Sequence, residues 1–341
     1  MTIRAILLLL SLSIGASAQE QQIASLGDFH LQNGQTIRDC KVGYRTFGHL
    51  NAQRSNVVLF PTWFSGTTKD LAGLVGPGKF IGSDKYYVIA VDALGDGVSS
   101  SPSNSTMQPH MQFPQFSIRD MVESQHELLT KHLKIQHLRA VMGVSMGGMQ
   151  TFQWIVTYPD FMDLAIPIVG SPRLTSYDLL LWNAEAHAIE TDPSWKNGEY
   201  TQTPAGMQVV GDIHALALQT PDYWVEHTSR KDFDNALKKS EAGAETEFDC
   251  NNWLRQLQAI IGHDISQAFN SDMNQAAKAV HAKLLVVSSR QDHMVNPHPA
   301  LDFAKTGHAQ VLELIDDCGH ISPICNTARV GTAIDEFLGQ Q

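Results

Sequence analysis

The chain has 341 residues, a formal net charge of −11 at pH 7 and 17% charged residues. This length suits one large domain with an insertion, or two small domains. No run of Lys or Arg suggests a nucleic acid or an anionic membrane surface as a partner. After Ile14, no apolar segment is long enough to cross a bilayer.

The N-terminus has the pattern of a secretory signal peptide. Arg4 precedes a short apolar run that ends at Ile14, and an A-x-A cleavage pattern follows at residues 16–18. An uncleaved anchor or a buried N-terminal helix is the alternative. Cleavage after Ala18 predicts an exported protein, periplasmic or secreted, with no membrane insertion once the signal peptide is removed.

Export makes disulfides possible among the four cysteines, Cys40, Cys250, Cys318 and Cys325. Four cysteines allow three pairings, and the sequence alone does not choose among them. Cys318 and Cys325 are close along the chain, which favours that pair. Four separate buried thiols are the alternative.

Short apolar runs alternate with helical patterns along much of the chain. Strands are predicted at residues 28–32, 36–47, 56–60, 86–91, 138–144, 164–169, 283–288 and 310–315. Helices are predicted at residues 119–133, 146–158, near 300 and 326–338. This alternation predicts an α/β fold with a mostly parallel central sheet and helices on both faces.

The alternation lapses between residues 171 and 275. This stretch has helical patterns without a convincing strand, and it contains four of the six tryptophans. The sequence therefore predicts a signal peptide at 1–18, a sheet domain formed by 19–170 and 276–341, and a helical cap inserted at 171–275.

A G-x-S-x-G motif marks a candidate nucleophile. Ser145 lies between Gly143 and Gly147, at the end of a predicted strand and just before a predicted helix. In α/β-hydrolases a sharp turn at this point exposes the serine hydroxyl above the sheet. A tight turn with an inert serine is the alternative.

A serine hydroxyl needs a base to remove its proton and an acid to orient that base. In the α/β-hydrolase fold the chain order is Ser, Asp or Glu, then His. Asp292 follows the strand 283–288 and His320 follows the strand 310–315, so Ser145, Asp292 and His320 are the predicted catalytic residues. Asp316 and Asp317 lie too near His320 in sequence to replace Asp292.

His293 and His298 have no matching carboxylate or cysteine pattern, so no metal site is predicted, and no cofactor is expected. The oxyanion of an acyl-transfer intermediate needs two N–H donors. The backbone N–H of Met146 is the first. The second donor is expected from the oxyanion loop (residues 61–66), at the backbone N–H of Phe64 or alternatively of Trp63. The alternative role for these two aromatic residues is packing beneath the cap.

Beyond this motif, the chain resembles the homoserine O-acetyltransferase family of α/β-hydrolases. The similar segments include Gly76-Pro-Gly-Lys-Phe-Ile, Ser117-Ile-Arg-Asp-Met-Val, Gly143 to Gln150 and Phe248-Asp-Cys-Asn. The resemblance covers roughly Gly43 to His320. It implies Ser145, Asp292 and His320 as the triad, a helical cap over the site and a homodimer formed through that cap.

Departures from that family concern the substrate. Thr-Trp-Phe-Ser-Gly at 62–66 replaces the family's His-Ala-Leu-Thr-Gly, and Ile321 replaces the Asp that follows its catalytic His. His187 aligns with a family Arg that binds carboxylate. The paired charges that an amino-acid substrate needs are missing. Trp63, Trp182 and His187 are the candidate substrate-binding residues.

The sequence favours hydrolysis of a small acyl ester through an acyl-enzyme on Ser145. Acyl transfer from acyl-CoA to an alcohol, as in homoserine acetylation, is the main alternative; it needs an acceptor site that excludes water. Acyl-CoA is a cytoplasmic metabolite, which disfavours transfer in an exported protein. A lactonase or amidase, and a binding protein with a relic triad, are further alternatives.

Overall fold

The computed structural model describes residues 20–246 and 248–340. The predicted signal peptide therefore lies outside the described residues, and export stays a prediction. Within these ranges, no helix combines the length and the apolar character that a membrane span requires.

The described residues form one mixed sheet. Its strands are β1 (Gln22–His30), β2 (Thr36–Phe47), β3 (Val57–Pro61), β4 (Tyr87–Val91), β5 (Leu138–Val144), β6 (Met162–Ile168), β7 (Lys283–Ser289) and β8 (Gln310–Leu314). Their order is β1-β2-β4-β3-β5-β6-β7-β8. β1 pairs antiparallel with β2, and β2 pairs antiparallel with β4. The remaining pairs are parallel, which confirms the predicted mostly parallel sheet.

The first strand is longer than the sequence pattern predicts, beginning at Gln22 rather than at residue 28. It is an edge strand in which Ala24 and Phe29 are buried while most neighbours are accessible, and its pairing shifts around Gly27. The alternation of buried and exposed residues along β1 is therefore weak, and the pairing of β1 with β2 decides where the strand begins. The Asn33-Gly34 turn joins the two strands, with Gly34 at φ +83°.

Twelve α-helices lie within the described residues. They are α1 (Thr68–Leu71), α2 (Ile118–Glu127), α3 (Met146–Thr157), α4 (Ser176–Glu190), α5 (Gly206–Leu218), α6 (Pro221–His227), α7 (Phe233–Thr246), α8 (Cys250–Ile261), α9 (Met273–Lys278), α10 (His298–Thr306), α11 (Ser322–Cys325) and α12 (Thr327–Leu338). The helix predicted over 119–133 is α-helical only as far as Glu127, and a π-helical turn over Leu128–His132 follows it.

Helices cover both faces of the sheet. All five residues of β3 are buried, so its apolar run has no polar face. Val57 packs in the cluster that includes Trp154 of α3. The next residue, Val58, packs in the cluster on the other face, which includes Phe337 of α12. Burial of such a side chain contributes on the order of 1.5–3 kcal/mol, and it fixes the strands whose ends carry the site.

The helices α4 to α8 form the cap, between β6 and β7 in the chain. A third apolar cluster, which contains Trp182 of α4, Met207 of α5 and Leu254 of α8, joins the cap to Met149 of α3. At its C-terminal side the predicted boundary at residue 275 falls within α9, whose Ala276 and Ala277 pack with the sheet cluster. The domain boundaries stay a prediction.

Exposed apolar side chains lie on the cap. Leu216, Val225 and Phe233 are 73%, 80% and 52% exposed, and they line an open cleft of about 1060 Å³. The homodimer through the cap, which the family resemblance implies, stays a prediction.

Candidate active site

Ser145 occupies a sharp turn between β5 and α3. Its backbone has φ 57° and ψ −119°, a combination that non-glycine residues rarely adopt and that costs on the order of 1–3 kcal/mol. Its N–H donates to the carbonyl of Ile168 at 2.8 Å, which ties the turn to the end of β6. Such strain persists only where the surrounding structure holds it, as it does at the nucleophile elbow.

Two glycines make this turn possible. A Cβ at Gly143 would collide with the carbonyl of Gly147, because the chain folds back on itself at Ser145. A Cβ at Gly147 would lie 2.7 Å from the carbonyl oxygen of Pro61. Any larger residue at position 147 would therefore separate the start of α3 from the oxyanion loop.

The structure brings the three predicted catalytic side chains together. Nε2 of His320 lies 2.8 Å from Oγ of Ser145. Nδ1 of His320 lies 2.6 Å from Oδ2 of Asp292. His320 and Asp292 are both buried, at 6% exposure each. The arrangement allows the imidazole to accept the serine proton while the carboxylate fixes its orientation.

Asp292 is held by the backbone that follows β7. Its second oxygen, Oδ1, accepts hydrogen bonds from the N–H groups of Met294 and Val295, at 2.9 and 2.8 Å. Asp178 of α4 fixes the same loop by accepting from the N–H of Asn296 at 2.8 Å. Burial, with a smaller contribution from the Asp292 charge, raises the pKa of Asp178.

His320 lies in a short helical turn after β8, between two cysteines that form a disulfide. Cys318 and Cys325 form a disulfide across seven positions, the pairing that the sequence favoured. Asp316 also holds this segment by accepting from the hydroxyl of Ser322 at 2.5 Å and from Asn326 at 2.7 Å. Cys40 and Cys250 are buried free thiols.

The two predicted oxyanion donors are available. Within the described residues, no hydrogen bond uses the N–H of Met146 or of Phe64. Met146 is the first residue of α3, where backbone N–H groups lack intrahelical partners. The Phe64 ring packs against the cap, 4.6 Å from the Trp253 ring in an edge-on arrangement. The ring therefore packs beneath the cap while its backbone N–H stays available.

The three candidate substrate-binding residues have different surroundings. Trp182 of α4 is 1% exposed, its ring lies 5.8 Å from that of Phe64, and its Nε1 has no hydrogen-bond partner among the described residues. Trp63 is half-buried and packs against the sheet cluster that contains Phe60 rather than the cap cluster.

His187 does not face the site. It is exposed, whereas Trp182, Glu185 and Ile189 form the buried face of α4. At about 100° per residue, His187 lies roughly 200° around the helix from Glu185. The structure thus corrects this expectation: the ionisable side chains that α4 directs inward are Asp178 and Glu185.

A buried polar pair that was not among the predicted site residues lies next to Phe64. Glu185 is fully buried, and its carboxylate lies 3.1 Å from Nδ1 of His214 and accepts from Nε1 of Trp253 at 3.1 Å. His214 stacks on the Phe64 ring and lines an open cleft of about 800 Å³ between cap helices and Ser65. In the sequence, Glu185 could have been noticed as an acidic residue among the apolar residues along one face of α4. Nothing in the sequence indicated His214.

Comparisons with known proteins agree with this geometry. Residues 78–326 match the family described as alpha/beta hydrolase fold. An ethyl acetate hydrolase of Pseudomonas veronii is 30% identical, with 94% of each chain covered. The crystal structure of an acetylester hydrolase from Corynebacterium glutamicum has a TM-score of 0.88 at 26% identity, covering 94% of this chain and 96% of that one. A homoserine O-acetyltransferase structure from Bacillus anthracis has a TM-score of 0.87 at 26% identity, covering 94% and 98%.

The chain belongs to the α/β-hydrolase fold family. Its resemblance to homoserine O-acetyltransferases is confirmed, and it is an enzyme of the carboxylic ester hydrolase or acyltransferase class.

Removal of the disulfide should loosen the loop that carries His320. For a crosslink across seven positions, loss of the loop constraint lowers the free energy of unfolding by about 2.5 kcal/mol. The double variant Cys318→Ser, Cys325→Ser should therefore melt earlier and turn over ester more slowly, as measured by thermal denaturation and initial rates.

The matched control is Cys40→Ala, which removes a buried free thiol from β2 and should leave the rate close to that of the unchanged protein. Equal melting temperatures and rates for the double variant and the unchanged protein would show that the disulfide does not support the site.

Proposed function

We propose that this chain is an exported serine esterase that hydrolyses short-chain acyl esters through an acyl-enzyme on Ser145. The contact of Ser145 Oγ with His320 Nε2 at 2.8 Å, and of His320 with Asp292, is the observation that carries the proposal. The names of the relatives support the choice of a small acyl group: ethyl acetate hydrolase and acetylester hydrolase.

The steps follow from the positions of these groups. Ser145 Oγ attacks the acyl carbon as its proton moves to Nε2 of His320, and the N–H groups of Met146 and Phe64 stabilise the oxyanion. The imidazolium then gives its proton to the leaving alcohol, which leaves an acyl-Ser145 ester. A water molecule, deprotonated by His320, attacks that ester and releases the carboxylic acid and the free hydroxyl of Ser145.

Acyl transfer to an alcohol shares every step up to the acyl-enzyme and is the second candidate, because the homoserine O-acetyltransferase from Bacillus anthracis has nearly the same fold. Two features favour water as the acceptor. Ile321 follows His320, so no carboxylate stands at that position to bind an ammonium group. The candidate residue for binding a carboxylate, His187, lies on the outer face of α4.

Ser145→Ala should abolish the steady release of p-nitrophenol from p-nitrophenyl acetate, with a fall of about 10³-fold or more. His320→Ala should have a similar effect because it removes the base. Ser288→Ala is the matched control, since this buried hydroxyl has no hydrogen-bond partner among the described residues. Turnover near the unchanged level in Ser145→Ala would refute the assignment of the nucleophile.

Hydrolysis should outpace transfer when both acceptors are present. With acetyl-CoA and homoserine supplied together, we expect free acetate to form faster than O-acetylhomoserine, as followed by mass spectrometry. Faster formation of O-acetylhomoserine would replace the esterase proposal by the transferase.

Export should leave a shortened N-terminus. When the full chain is expressed in a Gram-negative host, the protein recovered from the periplasm should begin at Gln19, as measured by intact mass. A protein that keeps Met1 and stays in the cytoplasm would contradict export, and it would leave the esterase assignment to the activity assays.

A further inference from the structure

A glutamine from the cap reaches the oxyanion loop. Gln256 lies on α8 and is fully buried. Its Oε1 accepts the N–H of Ser65 at 2.9 Å, and its Nε2 donates to the carbonyl of Leu94 at 3.1 Å. One side chain thus joins the cap, the oxyanion loop and the segment after β4.

The two contacts define the orientation of the amide. Ser65 presents a donor and Leu94 presents an acceptor, so the carboxamide oxygen must face Ser65 and the NH₂ group must face Leu94. The opposite orientation would place two donors together and two acceptors together, in a buried site where unpaired polar groups are costly. Gln is therefore matched to these partners in both length and polarity.

The loop needs external support at this point. Ser65 has φ +61°, in the left-handed region that favours glycine. Its neighbour Phe64 carries the candidate oxyanion donor, and the Phe64 ring packs against Trp253, three residues before Gln256 on α8. The same helix therefore holds Phe64 through its ring and Ser65 through its backbone.

The other end of the loop is fixed by the sheet domain. The N–H of Thr62 donates to the carbonyl of Val91 at 3.0 Å. Gln150 of α3 donates to the carbonyl of Thr62 at 3.0 Å. Between Thr62, held by the core, and Ser65, held by the cap, lie only Trp63 and Phe64, so the position of the Phe64 N–H depends on both anchors.

We propose that Gln256 is a positioning residue, which sets the oxyanion loop so that the Phe64 N–H meets the negative charge that develops on the substrate oxygen. The inference rests on the proposed function and adds to it a role for the cap in transition-state stabilisation. Gln256 acts through Ser65 and does not touch the reacting atoms.

This role predicts a loss in kcat rather than in KM. Oxyanion donors act on charge that appears only in the transition state, and removal of one such donor lowers kcat by about 10²–10³-fold. Displacement of a donor that remains present should lower kcat by roughly 10- to 100-fold. Affinity for a phenylboronic acid, whose tetrahedral adduct with Ser145 places an oxygen in the same position, should fall in parallel.

The decisive variants are Gln256→Leu and Gln256→Glu, with Gln258→Leu as the matched control. Leu removes both contacts. A protonated Glu keeps both, because its carbonyl accepts from Ser65 and its hydroxyl donates to Leu94; the ionised form repels the Leu94 carbonyl. Gln258 lies on the same helix, and its side-chain oxygen accepts a hydrogen bond from Arg255, also on α8. Its substitution should leave kcat close to that of the unchanged protein.

We expect Gln256→Leu to lower kcat and boronate affinity by similar factors, with KM changed less than about threefold. Burial raises the pKa of a carboxyl group, so Gln256→Glu should regain activity, relative to the unchanged protein, as the pH is lowered. This pH-dependent rescue would not arise from a generally loosened fold, and it provides a readout if Gln256→Leu does not fold.

The outcomes separate this inference from the proposed function. If the unchanged protein lacks turnover that depends on Ser145, the proposed function fails and this inference fails with it. If that turnover is present but Gln256→Leu behaves like Gln258→Leu, or if it changes KM without changing boronate affinity, the positioning role alone is overturned. A Gln256→Glu variant whose relative activity is independent of pH would also overturn it.

Discussion

The site depends on one strained backbone turn. Ser145 has a positive φ that a serine adopts only under constraint, and the constraint comes from backbone approaching backbone. Gly143 and Gly147 lack the Cβ atoms that would collide at this turn. Because the carbonyl of Pro61 lies directly against Gly147, the turn also brings the oxyanion loop next to the nucleophile.

The parallel sheet brings three distant segments to this turn. β5, β6, β7 and β8 are consecutive parallel neighbours in the sheet. The residues that follow β5, β7 and β8 therefore meet at the same end of the sheet, beyond the C-terminal ends of these strands. Each segment is then fixed by separate means: the hydrogen bond from the Ser145 N–H to the Ile168 carbonyl, the two backbone N–H donors to Asp292, and the disulfide on either side of His320. Such rigid support favours a preorganised site, in which little reorganisation is needed as charge develops.

The cap does more than cover the site. Two of its polar side chains, Glu185 and Gln256, are fully buried and hydrogen-bonded: Glu185 to Trp253 within the cap, and Gln256 to Ser65 of the oxyanion loop. Buried polar groups cost free energy unless they are paired, so the Gln256 contacts favour one arrangement of the cap on the core and the Glu185 contacts favour one arrangement of the cap helices. Esterases and acetyltransferases share the chemistry up to the acyl-enzyme and differ in the acceptor that reaches it.

The sequence by itself determined the fold class, the position of the nucleophile turn and the chain order of Ser145, Asp292 and His320. These depend on local signals: apolar runs that form buried strands, a glycine pattern at a tight turn, and polar residues just after strand ends. That Cys318 and Cys325 are bonded while Cys40 and Cys250 stay free was decided by the tertiary structure, since it depends on which thiols come within bonding distance.

The tertiary structure also decided which face of α4 points inward, and it places Asp178 and Glu185, rather than His187, on that face. It also revealed the contacts of Glu185 with His214 and of Gln256 with Ser65, pairs separated by 29 and 191 positions. A helical pattern identifies a buried face but not the partner of a residue on it. That partner is set by how the cap helices pack on one another and on the sheet domain, which no local pattern in the sequence records.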